Sequence, residues 1–78
     1  MAVPDKLKEV FIDVFGKSGE EINMDTNSKN YIQWDSLRHM ELIAALEKKY
    51  SVKINFMEAM ELSSVRDILN LIHKKKID

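Results

Sequence analysis

The residues whose types could support chemistry meet in one short stretch, Trp34-Asp35-Ser36-Leu37, where a polar segment gives way to a helical pattern. Asp is a preferred N-cap residue because its carboxylate accepts backbone N–H groups that the first turn of a helix leaves unpaired. Asp35 is therefore predicted to cap a helix whose first residue is Ser36. Since the positive end of the helix dipole favours negative charge, the Ser36 hydroxyl is a favourable position for a covalently attached phosphate.

A serine hydrolase would pair Ser36 with His39 on the same helix and recruit Asp35 or Glu41 as the acid. Side chains at this spacing can approach one another. The sequence supplies no oxyanion hole, no substrate pocket and no group to orient the imidazole, all of which that chemistry needs. We therefore interpret His39 as a residue at the border of the core, and we predict no catalytic residue.

Metal binding has little support in this sequence. The run Asp25-Thr26-Asn27-Ser28-Lys29-Asn30 begins like an EF-hand loop, but it places a lysine at the fifth position and an asparagine where the turn glycine belongs. Ser36 stands where the bidentate glutamate should be, so we reject calcium binding. With two His and no Cys, the chain also lacks a transition-metal constellation, and no metal site is predicted.

The overall composition is that of an ordinary globular chain. Its 78 residues predict a single domain, 1–78, which buries about 60% of the surface of the unfolded chain. A net charge of -1 and lysines that are scattered, apart from Lys74-Lys75-Lys76, argue against nucleic-acid binding.

We expect no membrane span, because no stretch approaches the roughly 20 apolar residues that a span needs. With no recognisable export signal, the expected location is the cytoplasm, and the expected state is a monomer.

The first helix is predicted from Pro4 to about Phe15, because its apolar residues follow the spacing of one helix face. Pro4 suits a first turn, and Gly16 suits the C-terminal end. Residues 17–35 are polar and lack a sustained period, so they are predicted to form a long loop. We expect the apolar side chains of this loop to pack against the helices: Ile22, Met24, Tyr31, Ile32 and Trp34.

The second helix is predicted from Ser36 to about Tyr50. One face carries a core stripe made of His39, Leu42, Ile43, Leu46 and Tyr50. An adjoining flank is part apolar and part charged, and comprises Leu37, Met40, Ala44 and Glu47, with Glu41 and Lys48 at its border. Such a flank is either a second buried edge or an exposed surface that a partner covers.

A connector and two further helices are predicted for the part of the chain that follows the second helix. Residues 52–54 alternate but are too short to pair as a strand, so they are read as an extended connector with Val52 and Ile54 pointing inward. Residues 56–61 predict one or two helical turns without a firm cap. Ser64 opens the last helix, and its spacing to Asp67 resembles a capping box. Its core stripe is Val65, Ile68, Leu69 and Ile72. The fold predicted is all-α: a small four-helix bundle with a long first loop and a short third helix.

The order and length of these elements resemble those of the acyl carrier protein family over nearly all 78 residues. The quartet Trp34-Asp35-Ser36-Leu37, with Met40-Glu41-Leu42-Ile43 and Leu46-Glu47 after it, is similar to the attachment motif and recognition helix of that family. The resemblance implies a non-enzymatic carrier. A phosphopantetheinyl transferase would move 4'-phosphopantetheine from coenzyme A onto Ser36 with the help of magnesium, and acyl groups would ride on the arm as thioesters.

The same resemblance implies roles for further residues. Asp35 would help to place the metal of the transferase. The positions that face partner enzymes, both acyl-loading and acyl-using, would be Leu37, Met40, Glu41, Ala44 and Glu47. These implied roles favour the interpretation that the flank of the second helix is an exposed surface that a partner covers.

Two departures from the family pattern bear on which pathway the carrier is expected to serve. Gln33 stands where the family commonly has a glycine, and a side chain there restricts access to positive φ. Asp35, Glu41 and Glu47 are balanced by Arg38, Lys48 and Lys49, whereas carriers of fatty acid biosynthesis usually have a strongly acidic second helix. We therefore expect a carrier for a dedicated pathway, such as polyketide, nonribosomal peptide or surface-glycan acylation. The alternative is a helical interaction module that keeps the carrier fold without the prosthetic group.

Overall fold

The structure, a computed structural model, describes residues 3–76, with side chains through Lys75. Four α-helices follow one another: α1 (Asp5–Phe15), α2 (Ser36–Tyr50), α3 (Phe56–Glu61) and α4 (Val65–Lys76). Across these described residues the only β-type pairing is an isolated bridge between Asn27 and Ser64. The predicted all-α bundle with a short third helix is confirmed.

Both ends of α1 lie close to the predicted positions. Pro4 precedes the helix as its N-cap, and its carbonyl accepts a hydrogen bond from the Lys8 N–H at 3.0 Å. Gly16 ends the helix with a φ of 73°, a conformation that favours glycine. The buried face of α1 consists of Leu7, Val10, Phe11 and Phe15, while Val14, also placed on this face by its spacing, is half-buried.

The long first loop begins with a 3₁₀ helix, Gly16–Glu21, that the sequence pattern did not predict. Gly19 is buried against α1, and a Cβ at this position would lie 2.5 Å from the carbonyl oxygen of Phe11. The glycine is therefore required by close backbone approach. The absence of a side chain at Gly19 lets the 3₁₀ helix pack onto α1, although this helix has no apolar face.

The apolar residues of the loop separate into packed and exposed ones. Ile22 and Trp34 are buried, and Met24 and Tyr31 pack partly against the core, as expected. Ile32 is 94% exposed, so the expectation that it packs inward is wrong. The Trp34 N–H donates to the Tyr31 carbonyl at 3.0 Å and closes a turn with Ile32 at its tip.

A capping box starts α3, contrary to the prediction that this helix has no firm cap. The Glu58 N–H donates to Asn55 Oδ1 at 2.8 Å, and the Asn55 N–H donates to Glu58 Oε1 at 3.0 Å. The Lys75 ammonium also contacts Glu58 Oε1 at 2.9 Å, so α4 holds the start of α3 as well. These contacts lower the pKa of Glu58, the hydrogen bond from Lys75 first and that from the Asn55 backbone second. A helix of one and a half turns is stabilised by these bonds at its start.

The cap of α4 differs in part from the predicted one. The Asp67 N–H donates to Ser64 Oγ at 3.0 Å, as the spacing suggested. The Asp67 carboxylate reaches back to the N–H and hydroxyl of Ser63, one residue earlier than in a regular capping box, at 3.1 Å each. The shorter Asp side chain takes the place usually filled by Glu or Gln.

The core lies where the four helices meet. The connection before α4 is tied to the first loop, because the Ser28 N–H donates to the Ser63 carbonyl at 2.8 Å and the Val65 N–H donates to the Thr26 carbonyl at 2.9 Å. As predicted, Ile54 is buried and Val52 packs partly against the core. The predicted α4 stripe is buried except for Leu69, which is half-buried. The fully buried large side chains are Phe11, Leu7, Leu42, Leu46, Ile68, Val10 and Val65.

Candidate functional site

The N-terminus of α2 is built as the sequence predicted. Asp35 has an extended backbone, and its Oδ1 accepts a hydrogen bond from the Arg38 N–H at 2.9 Å. The Asp35 carbonyl accepts the His39 N–H at 2.8 Å, so the α-helical hydrogen bonds begin at once. Ser36 is the first residue of the helix and is exposed. Its hydroxyl therefore stands at the positive end of a 15-residue helix.

Gln33 fits the loop before this helix without backbone strain. Among residues 3–76, positive φ values occur at Gly16 and Ser51 only, so the backbone at Gln33 does not need the conformation that glycine provides. Its side chain is used instead: Ser18 Oγ donates to Gln33 Oε1 at 2.7 Å. Ser18 Oγ also lies 2.8 Å from the Tyr31 hydroxyl. Gln33 thus links the segment that precedes α2 to the 3₁₀ helix.

An open groove runs past Ser36, between the start of α2 and the end of α3. Its volume is about 630 Å³. It is lined by Ser28, Trp34, Asp35, Ser36, His39, Met40, Met60, Leu62 and Ser63. The last three come from α3 and the connection after it, which the sequence did not associate with Ser36. They lie near Ser36 because of the way α3 packs. The Asn55–Glu58 spacing, which is that of a capping box, is the sequence signal that could have predicted the start of α3.

The ring of His39 joins two elements beside Ser36. Trp34 Nε1 donates to His39 Nδ1 at 3.0 Å, and His39 Nε2 lies 2.8 Å from the Ala59 carbonyl oxygen. Because an indole nitrogen only donates and a carbonyl only accepts, Nδ1 is the acceptor and Nε2 carries the proton. We name this arrangement the Trp34–His39–Ala59 bridge. Since both ring nitrogens are used, His39 does not serve Ser36 as a base, and the rejection of a hydrolase is supported by geometry.

The apolar residues of the mixed flank of α2 face solvent, while Glu47 is half-buried. Leu37 is 67% exposed and Met40 is 53% exposed, and Ala44 is also exposed. Of the two interpretations left open for this flank, the second buried edge is thereby ruled out. The neighbouring α3 adds exposed apolar side chains that the sequence analysis did not single out: Phe56, Met57 and Met60.

The acidic residues of α2 have partners within the chain. Arg38 Nη1 contacts Glu41 Oε1 at 2.9 Å, and the Ile54 N–H donates to Glu47 Oε2 at 2.8 Å. Lys49, near the other end of the helix, contacts Glu9 Oε1 at 2.9 Å, and this hydrogen bond raises the pKa of Lys49. With its cap residue Asp35, α2 carries three acidic side chains (Asp35, Glu41 and Glu47) and three basic ones (Arg38, Lys48 and Lys49), so it lacks the excess negative charge that an acidic helix would present.

Two properties of the described chain concern metal binding and membrane crossing. Between residues 3 and 76, no group of three or more His, Cys, Asp or Glu side chains is arranged to hold a metal ion. In the same range, no helix combines the length and apolarity needed to cross a membrane.

Comparisons with known proteins agree with this geometry. Residues 5–72 match the family described as "Phosphopantetheine attachment site". The acyl carrier protein of Solidesulfovibrio magneticus is 36% identical over 76 residues, which make up 97% of each chain. The acyl carrier protein of Campylobacter curvus is 35% identical over 74 residues, covering 95% of this chain and 96% of the other. That of Wolinella succinogenes is 32% identical over 76 residues, covering 97% and 100% respectively.

The residues at the start of α2 fit a phosphate-linked group. An exposed hydroxyl lies at the positive end of the helix, beside an open groove of about 630 Å³. A family match over residues 5–72 and relatives that cover nearly the whole chain leave one assignment. The chain belongs to the acyl carrier protein family, and it is a non-catalytic carrier with covalently attached 4'-phosphopantetheine as its prosthetic group.

Proposed function

We propose that Ser36 is the residue to which 4'-phosphopantetheine is attached. The observation that carries this proposal is the exposed Ser36 hydroxyl, held at the first position of α2 by the Asp35 cap and lining the groove. When bound, the group supplies a terminal thiol that holds acyl groups as thioesters. The chain contributes a helix end that stabilises the negative charge of the phosphodiester.

The proposal includes a surface for partner enzymes. It is made of Leu37, Met40 and Ala44, which are exposed, together with Asp35, Glu41 and Glu47. The exposed apolar residues next to Ser36 support this, because apolar side chains near the centre of an interface supply much of its binding energy. The transferase and the acyl-loading and acyl-using enzymes would each contact this surface while they act on the arm.

We further propose that the carrier serves a dedicated pathway, such as polyketide, nonribosomal peptide or surface-glycan acylation. The support is electrostatic: Glu41 is paired with Arg38, and Lys48 and Lys49 balance the charges of Asp35 and Glu47. Complementary charge mainly sets association rate and partner choice. A synthase that selects strongly acidic carriers would associate slowly with this one. The proposal takes residues 1–78 as one domain that works as a monomer in the cytoplasm.

The attachment proposal is tested by intact mass. The full chain is incubated with coenzyme A, magnesium and a broad-specificity phosphopantetheinyl transferase. We expect the mass of one phosphopantetheine group to be added to the native chain and to Ser28→Ala, which removes another serine hydroxyl lining the groove. We expect no addition to Ser36→Ala. A native chain that gains no mass would support the interaction module without a prosthetic group, and a gain that survives Ser36→Ala would place the arm elsewhere.

The pathway proposal is tested by kinetics with a ketoacyl synthase of fatty acid biosynthesis. The loaded carrier should react more slowly than a loaded carrier with a strongly acidic second helix, and raising the salt concentration should narrow the difference. Replacing Arg38 and Lys48 by Glu should bring the rate closer to that of the acidic carrier. Equal rates for the native chain and the acidic carrier would contradict the dedicated role.

A further inference from the structure

We propose that the Trp34–His39–Ala59 bridge closes the seam between α2 and α3 to an attached acyl chain, so that this carrier holds its acyl group outside the core, in the open groove. The class of cargo that follows is a short or polar acyl group. This inference rests on the proposed attachment at Ser36. It makes His39 a specificity-determining residue, although it takes no part in chemistry.

The position of His39 places it on the way from Ser36 to the core. His39 lies one turn after Ser36 on α2, and Leu42 and Leu46 continue the same stripe into the fully buried interior. Ala59, whose carbonyl lies at His39 Nε2, and Leu62, which lines the groove, are buried as well. An apolar chain tethered at Ser36 that sought the interior between α2 and α3 would meet the hydrogen bond from His39 to Ala59 first.

The bridge is anchored at both ends. The Trp34 indole is 5% exposed, and it packs edge-on against Phe11 with ring centroids 5.6 Å apart. Its ring lies nearly coplanar with the imidazole of His39, with an interplanar angle of 22° and ring centroids 6.2 Å apart, as the hydrogen bond between their nitrogens requires. Moving His39 aside would leave the indole N–H of the buried Trp34 without its acceptor, which is unfavourable, and would leave the Ala59 carbonyl with the Leu62 N–H, at 3.3 Å, as its remaining donor. The arrangement therefore resists opening.

The interior behind the bridge is filled by large side chains. Leu42, Leu46 and Ile68 have no exposed surface, and they belong to the same core cluster as Trp34. Since protein interiors are close-packed, an entering chain would have to displace these side chains. Entry thus requires both opening of the bridge and repacking of the core.

The open groove offers a different environment for the acyl group. Met40 and Met60 form apolar sides, while Ser28 and Ser63 add polar groups and Ser36 itself lies at the wall. A short acyl group can contact the methionines there, and a polar one remains hydrated. A long alkyl chain would stay largely in water in this groove, which is unfavourable for each exposed methylene.

The test compares three loaded forms of the full chain, prepared by transfer of acetyl-, butyryl- and octanoyl-phosphopantetheine from the corresponding coenzyme A esters. NMR spectra follow the single indole N–H resonance, from Trp34, and the amide resonances of Leu42, Leu46 and Ile68; melting temperatures are measured in parallel. We expect these core signals and the melting temperature to be the same for all three forms. Core shifts that grow with chain length in the native protein would overturn the inference.

Variants separate the bridge from general stability. In His39→Ala, the octanoyl form should show new core shifts and a higher melting temperature than the acetyl form. His73→Ala replaces the other histidine, which is exposed, and should behave like the native chain. If His39→Ala does not fold, Trp34→Phe removes the indole donor and part of the ring volume while keeping an aromatic ring; followed by the amide resonances of Leu42, Leu46 and Ile68, it should give the same dependence on chain length. A folded variant that remains insensitive to chain length would contradict the role of the bridge.

The attachment step is checked separately in the same samples. Intact mass reports whether each chain carries the arm and its acyl group before any spectrum is recorded. Failure to load at Ser36 would overturn the attachment proposal and this inference with it. Successful loading followed by burial of the octanoyl chain would overturn this inference alone.

Discussion

The Asp35 carboxylate accepts a hydrogen bond from the Arg38 N–H at 2.9 Å, and this contact fixes Ser36 as the first residue of α2. The same carboxylate is one residue away from the hydroxyl that we propose is modified. A structural role and a recognition role therefore fall on one side chain. Substitutions that keep the cap but change the charge can separate them.

Asp35→Ala should lower the free energy of unfolding by about 1 kcal/mol, because an N-cap acceptor is lost. Asp35→Asn keeps an oxygen acceptor and should retain most of the stability. If Asp35 also helps to place the metal of the transferase, both variants should be modified more slowly than the native chain. Denaturation curves and modification rates on the same preparations check this. If Asp35→Asn is modified at the native rate, Asp35 has no recognition role and acts only as the helix cap.

Asn55→Ala should lower the free energy of unfolding by about 1 kcal/mol through loss of the capping box at α3. Asn55→Asp, which retains the acceptor, is the matched control and should stay close to the native value. Chemical denaturation measures both. Equal stability of the native chain and Asn55→Ala would show that the box does not support the helix.

Glu58→Gln should lower the melting temperature at neutral pH but not in strong acid. Hydrogen bonds from Lys75 and from the Asn55 backbone hold the pKa of Glu58 below its ordinary value, so the carboxylate stabilises the fold above its unfolded pKa. This contribution disappears as the pH falls through the folded pKa. The two melting temperatures should converge below about pH 4. A difference that persists unchanged as the pH is lowered from neutral into strong acid would contradict this assignment.

Gly19→Ala should destabilise the protein by about 1–3 kcal/mol, the cost typical of forcing extra atoms into a packed interior. The new methyl carbon would lie 2.5 Å from the Phe11 carbonyl oxygen, which is backbone and cannot move aside as a side chain can. Glu20→Ala, at an exposed position of the same 3₁₀ helix, should have little effect. Thermal unfolding of both variants tests the close approach; similar melting temperatures would argue against it.

Local signals were enough to predict α1, α2 and the start of the proposed site. The apolar spacing from Leu7 to Phe15 and the Asp35-Ser36 pair each act within a few residues of chain, so no knowledge of tertiary packing was needed. The bounds of α2 were obtained in this way. The exposure of Leu37 and Met40 could not be settled from spacing, because a mixed flank is compatible with burial or with solvent.

The features that the sequence did not reveal depend on contacts between distant residues. The groove needs Met60 and Leu62 to reach the neighbourhood of Ser36, and the bridge needs Ala59 to meet His39, which is 20 residues earlier. The exposure of Ile32 follows from a turn that composition alone does not define. The capping box of Asn55 and Glu58 is the exception, since its spacing was readable from the sequence.

The most direct test of the account is to locate the prosthetic group on the modified native chain. The chain is treated with coenzyme A, magnesium and transferase, digested, and fragmented in the mass spectrometer until the added mass is assigned to one residue. The account predicts a single phosphopantetheine group on Ser36, in the peptide that contains Trp34-Asp35-Ser36-Leu37. Assignment of the group to any other residue would contradict it, as would a native chain that stays unmodified while a known carrier in the same reaction is fully converted.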